Sequence, residues 1–189
     1  MVAPRQGLTL AEFLARPETK PALEYADGVV TRKAAPKGRH STLQTELVER
    51  LNRLARRRRS ARALTELRAT FGGRSYVPDV VVFGAERIPR TPEGQIADDV
   101  FAPPDIAIEI VSPRQSVTPL VRRCLWYVAN GVAAALLVDP RDRSIIVFRT
   151  GGQTAAMRGA EVIDLSDVAP GLVFSVDDVF ASLSAEYWP

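Results

Sequence analysis

One cysteine, Cys124, and one histidine, His40, are all that the sequence of 189 residues has of either. A single cysteine forms no intrachain disulfide, and no Cys/His spacing of a zinc site is present. The longest apolar run, Gly131 to Val138, is too short to cross a bilayer. The N-terminal stretch has no apolar core of a secretory signal. A cytoplasmic location and no membrane partner are therefore expected. There is no GxGxxG turn, no Walker A loop and no HExxH helix, which argues against dinucleotide, nucleotide-triphosphate and zinc-protease chemistry of those kinds. Lysine is scarce too: Lys20, Lys33 and Lys37 are the only lysines among 25 basic residues, the rest being arginine. The planar donor fork of arginine suits phosphate. A GC-rich genome that favours arginine codons explains the same bias, which is spread along the whole chain. The net charge of +3 adds little in either direction.

The length suits one domain spanning residues 1–189. Thr9 and Glu12 form a capping box that opens a short helix from Leu10 to about Ala15, stopped by Pro17. Leu23 to Thr31 reads as a hairpin turning at Asp27-Gly28. Ser41 and Gln44 resemble a second capping box, with Leu43, Leu47, Leu51 and Leu54 making one apolar stripe behind it. Strands are expected at Leu64–Thr70, Val77–Phe83, Asp105–Val111, Val132–Val138 and Ser144–Arg149. Ala85 to Ala102 reads as a loop. Thr118 and Pro119 are expected to start a helix that ends at Asn130-Gly131. A short strand near Val162 and a helix from about Val176 to Leu183 close the chain. Such a mixture implies an α/β fold with a central mixed sheet flanked by helices.

Two acids sit where apolar residues belong. Asp79 interrupts Tyr76-Val77-Pro78-Asp79-Val80-Val81-Val82-Phe83, and Glu109 interrupts Ile106-Ala107-Ile108-Glu109-Ile110. Burying an ionised carboxylate costs several kcal/mol, to order of magnitude, unless a cation or donors meet it. Alternation sets Ile106, Ile108 and Ile110 on one face and Glu109 with Ala107 and Val111 on the other. A shared hard cation such as Mg²⁺ is one explanation. The other is a pair of inert bridges to arginines such as Arg74 or Arg122. Glu24, before the Asp27-Gly28 turn, is a candidate third acid or a solvated hairpin residue. His40 is a candidate phosphate or metal-water contact, or a helix-start residue of no special role. The run Arg53, Arg56, Arg57, Arg58 and Arg59 is explained by a solvated helix C-terminus, where cations are favoured. Cys124 reads as packing.

Several segments together resemble the Uma2 family, also called DUF820, a restriction-endonuclease-like group of the PD-(D/E)XK class. They are Leu8–Leu14, Leu23–Val30, Arg39-His40-Ser41, Tyr76–Val82, Pro104–Pro113, Tyr127–Val132, Leu137–Pro140, Pro170–Leu172 and Val179-Phe180, in family order. The resemblance implies a restriction-endonuclease-like fold and hydrolysis of DNA phosphodiester bonds. It implies Mg²⁺, with Mn²⁺ as the alternative ion, on Asp79 and Glu109, with Glu24 as an accessory acid and His40 nearby. It also implies a lysine on the helix one turn before Tyr127; that position is Arg123 here. Arginine binds phosphate but does not accept a proton at ordinary pH. Lys33 or Lys37, in the chain before His40, is the alternative lysine to reach the site. Lys37, Arg39 and Arg122 are candidate nucleic-acid contacts, and a homodimer would match two strands with two sites. The alternative expectation is a catalytically impaired nucleic-acid-binding or interaction protein, or a domain whose acids serve only stability.

Overall fold

The computed structural model describes residues 7–113 and 115–187; residues 1–6, 114, 188 and 189, part of the single unit expected from the sequence, lie outside them. In chain order the elements are α1 (Leu10–Leu14), β1 (Leu23–Ala26), β2 (Val29–Arg32), α2 (Gly38–Arg56), β3 (Ala61–Thr65), β4 (Ala69–Phe71), β5 (Arg74–Tyr76) and β6 (Val80–Gly84). They continue with β7 (Ile106–Ile110), α3 (Val117–Ala129), β8 (Ala134–Asp139), β9 (Ser144–Arg149), β10 (Thr154–Arg158), β11 (Val162–Asp164), β12 (Val173–Ser175) and α4 (Val176–Phe180). Six strands form the central sheet in the order β10-β9-β8-β7-β6-β3. Only β7 and β8 run parallel in it, joined through α3, so the sheet is mixed as expected. A second sheet, β2-β1-β5-β4, carries the N-terminal hairpin.

The two faces of β7 bury different cores. Ile106, Ile108 and Ile110 pack with Leu43, Leu47 and Leu51 of α2. Ala107 and Val111 pack with Leu120, Cys124 and Tyr127 of α3. The two helices therefore cover opposite faces, and Glu109 belongs to the α3 side. Cys124 is fully buried in that core, as its apolar neighbours imply.

Several boundaries differ from the sequence reading, each for a local reason. Leu64–Thr70 is not one strand. Glu66 adopts a left-handed φ of 48°, and the chain leaves β3 there to begin β4 in the other sheet. Val77–Phe83 is also divided: β5 ends at Tyr76, and Val77-Pro78-Asp79 carries the chain between sheets before β6. Pro78 has no N–H for a ladder, which suits a break at that point. Helix α2 begins at Gly38 with Lys37 at its N-cap, so Ser41 and Gln44 do not form a capping box. Gln44 instead donates from Nε2 to the carbonyl of Asp79 at 2.8 Å. Helix α3 is preceded by Ser116, two residues before the expected Thr118. Strands β10 and β12 have no alternating apolar pattern strong enough to read; each is a short edge held by its neighbour. The Thr9–Glu12 capping box and the Asp27-Gly28 turn, with φ of 52° and 82°, are as read.

Candidate active site

Register brings the two acids together. The antiparallel β6–β7 ladder ends with Val80 opposite Ile108, so Asp79, just before β6, comes level with Glu109 just beyond that last pair. Both side chains lie at the end of the sheet where β7 finishes. Asp79 is 2% exposed and Glu109 3%. A cavity of about 220 Å³ opens there, lined by Glu24, Lys33, His40, Asp79, Glu109 and Arg123, with Ser112 and Gln115 also in its wall. A larger cavity of about 800 Å³ lies on the far side of Lys33 and touches neither Asp79 nor Glu109. The smaller one is therefore the candidate site.

Asp79 is held on both oxygens. Its Oδ2 accepts the backbone N–H of Ile110 at 2.7 Å. Its Oδ1 lies 2.7 Å from Lys33 Nζ and 3.2 Å from His40 Nε2. Neither nitrogen lies along a hydrogen-bond direction, so Oδ1 and His40 Nε2 remain buried polar atoms without an aligned partner. His40 Nδ1 and Ser112 Oγ are hydrogen-bonded at 3.1 Å, which fixes the ring. Lys33 Nζ also donates to the carbonyl of Val77 at 2.5 Å. Burial pushes the Asp79 carboxyl up, but the His40 contact and the Lys33 charge outweigh it and hold the group below its ordinary value. Burial works against the Lys33 ammonium as well, yet Asp79 and Glu109 keep its pKa above normal.

Glu109 has one oxygen engaged. Its Oε1 accepts the Tyr127 hydroxyl at 2.7 Å and lies 3.4 Å from Arg123 Nη1. No hydrogen bond among the described residues reaches Oε2. Burial raises the Glu109 carboxyl above its usual range, Arg123 offsets part of this, and the charge on Asp79 adds to it. The arginine is committed elsewhere. It grips Glu24 through two parallel bonds of 2.9 and 2.7 Å and lies 4.3 Å over the Tyr76 ring. Glu24 Oε1 also accepts the N–H of Val77 at 3.0 Å. Arg123 thus ties the hairpin to α3.

The site residues read from the sequence fall into two groups. Glu24, His40, Asp79, Glu109 and Arg123 line one cavity. His40 lies in the first turn of α2, not before the helix. Lys37 and Arg39 lie on the rim of a neighbouring cavity, whereas Arg122 is exposed on α3 and lines neither. Arg74, considered as a bridge to a buried acid, pairs with Asp27 instead. Tyr127, Ser112 and Gln115 were not candidates, and Lys33 was raised only beside Lys37. The signals for Lys33 are the arginine at position 123 and its place in the chain before His40; its partner Asp79 is 46 residues away in the chain.

The donor set fits a hard divalent cation. Asp79 Oδ1 and Glu109 Oε2 are carboxylate oxygens without aligned donors. Three carboxylates in the cavity wall face two permanent cations, Lys33 and Arg123. Mg²⁺ is held by one or two carboxylates, with water and phosphate completing its shell. Among the described residues no group of three or more His, Cys, Asp or Glu side chains could hold a metal. That differs from the closed four-ligand set of structural zinc.

A mixed sheet between helices, with two carboxylates and a lysine at one sheet end, defines the class as restriction-endonuclease-like. The chain belongs to the Uma2 family, whose model, described as "Putative restriction endonuclease", matches residues 10–177. The chain is also similar to a solved structure titled as a putative nuclease belonging to DUF820 from Anabaena variabilis ATCC 29413. The two share 39% identity and a TM-score of 0.88, over 94% of this chain and 99% of that one. No curated protein matches the sequence.

Proposed function

We propose that the protein is a divalent-metal-dependent endonuclease that hydrolyses phosphodiester bonds in DNA. The observation that carries this reading is the convergence of Asp79, Glu109 and Lys33 on one cavity, with Asp79 Oδ1 lacking an aligned donor. The family and the solved relative support a nuclease. Asp79 and Glu109 would hold Mg²⁺, or Mn²⁺ in its place. Bound there, the ion supplies Lewis acidity and a water of lowered pKa.

The chain's own residues have distinct tasks. Lys33, whose ammonium form Asp79 and Glu109 favour, stabilises negative charge on a phosphate. Its amine occupies the role that Arg123 was expected to fill from α3. His40 and the Ile110 N–H orient the Asp79 carboxylate. Tyr127 orients Glu109. Arg123 neutralises Glu24 and keeps the hairpin, and with it Lys33, against the sheet. A homodimer acting on the two strands of cytoplasmic DNA completes the proposal.

The test is plasmid cleavage with Mg²⁺ or Mn²⁺ by the wild-type protein, Asp79→Ala and Lys33→Ala. Metal-dependent nicking that both substitutions abolish is expected. Cleavage that persists in Asp79→Ala would overturn the assignment.

A further inference from the structure

Three cavities lie side by side at this end of the sheet. Lys33 and Ala34 line both the active-site cavity and the cavity of about 800 Å³. His40 lines both the active-site cavity and a third one, of about 290 Å³. The third exists because β7 and β8 are parallel. Their ends emerge together, and Val111 donates its N–H to Val138 at 2.9 Å, setting Pro113 beside Pro140-Arg141. Helix α2 brings Lys37 and Arg39 to the same place.

The two flanking cavities differ in charge. The third cavity has a floor of buried Val111 and Pro140, with exposed Pro113, Lys37, Arg39 and Arg141 around it. All three cations are exposed, and none pairs with a carboxylate among the described residues. No acid lines it. The larger cavity carries Glu18, Glu66, Asp98 and Asp99 against Lys20, Lys33 and Arg68, of which Lys33 faces Asp79 and Arg68 is bound to Glu18. An apolar floor under unpaired cations suits the sugar and phosphate of a nucleotide. Four carboxylates against three cations, two of them already engaged by carboxylates, suit a phosphate less well.

Resting on the nuclease reading above, we propose that the cavity of Lys37, Arg39 and Arg141 is the subsite for the nucleotide next to the scissile phosphate. The DNA strand then leaves the active site past the start of α2 and the turn after β8, and not through the acidic cavity. Arg141 is its specific addition to the binding residues. Among the described residues no side chain caps α2, so the backbone N–H groups of its first turn add donors on the same side.

The test uses a fluorescein-labelled DNA duplex and the full chain, in two assays. Anisotropy without divalent ions reads binding; cleavage with Mg²⁺ reads KM and kcat. Arg141→Ala and the Lys37→Ala/Arg39→Ala pair are compared with Asp98→Asn/Asp99→Asn, and melting temperature checks each fold. The basic variants are expected to lower affinity about 5-fold or more and to reduce the salt slope by about one per cation removed. KM should rise with kcat nearly unchanged, while the Asp98/Asp99 pair binds as well as wild type or better. Cleavage by wild type with no change in affinity or KM in the basic variants would overturn the subsite and leave the nuclease reading standing. Binding lost in those variants, with no cleavage by any protein, would overturn the nuclease reading and leave the DNA path standing.

Discussion

Lys33 Nζ lies 2.7 Å from Asp79 Oδ1, so a residue just after the N-terminal hairpin supplies the amine of a site whose acids lie on the central sheet. Its side chain is 11% exposed and faces the cavity. Lys33→Met should lower kcat by about 10²–10³-fold, the range for loss of one preorganised donor to a charged transition state. KM should change little. Single-turnover cleavage rates check this. Retention of wild-type kcat would mean that the amine serves only to balance Asp79.

Arg123 and Glu24 make a structural pair. Truncating one partner of a buried, hydrogen-bonded pair leaves an uncompensated charge and costs about 3–5 kcal/mol. Arg123→Met should therefore unfold at markedly lower denaturant than wild type. Glu24→Gln in the same chain should restore part of that loss, because the amide still accepts the Val77 N–H without needing a cation. Urea melts of the four proteins in the cycle give the coupling directly.

The two central acids affect stability in opposite directions with pH. Asp79 has a lowered folded pKa, so its contribution is present above the ordinary carboxylate pKa and is lost as pH falls through the folded value. Glu109 has a raised folded pKa, so the folded state binds the extra proton, and stability falls as pH rises from the unfolded value to the folded one. Asp79→Asn should flatten the acid limb of a metal-free stability profile. Glu109→Gln should raise metal-free stability at neutral pH. Urea midpoints in EDTA across the acid range measure both; a lower neutral midpoint for Glu109→Gln would contradict the burial argument.

Divalent-ion binding should appear as a rise in melting temperature that increases with ion concentration. Mg²⁺ or Mn²⁺ should raise the wild-type value and leave Asp79→Asn unchanged. Calorimetric titration with Mn²⁺ adds the affinity, and an equal response from both proteins would place the ion elsewhere.

Tyr127 donates to Glu109 from the opposite helix at 2.7 Å. Tyr127→Phe removes only that hydroxyl. Loss of an outer partner of a metal ligand typically weakens metal affinity by about 10–100-fold. Leaving Glu109 Oε1 with Arg123 alone should also cost about 1–3 kcal/mol of stability. Mn²⁺ titration and a urea melt separate the two effects.

Local pattern carried much of the fold into view. The capping box at Thr9, the hairpin turn at Asp27-Gly28, the leucine stripe of α2 and the alternation of β7 each rest on neighbours within one turn or one strand. The two acids stood out for the same reason, since a carboxylate inside an apolar run is anomalous on its own. Pro78 marks a candidate break, but that the chain changes sheets there and at Glu66 is set by which strands pair in space, which local pattern does not carry.

What the sequence determined by itself was that Asp79 and Glu109 needed a compensating charge, because burial of an ionised group is unfavourable in any fold. Which charge each received was decided by tertiary structure. The antiparallel register of β6 and β7 set the acids side by side, the hairpin carried Lys33 to Asp79, and α3 turned Arg123 toward Glu24. Electrostatic pairing depends on distance in space and not along the chain. Residues 46 and 99 positions apart become partners only when the sheets and helices have packed.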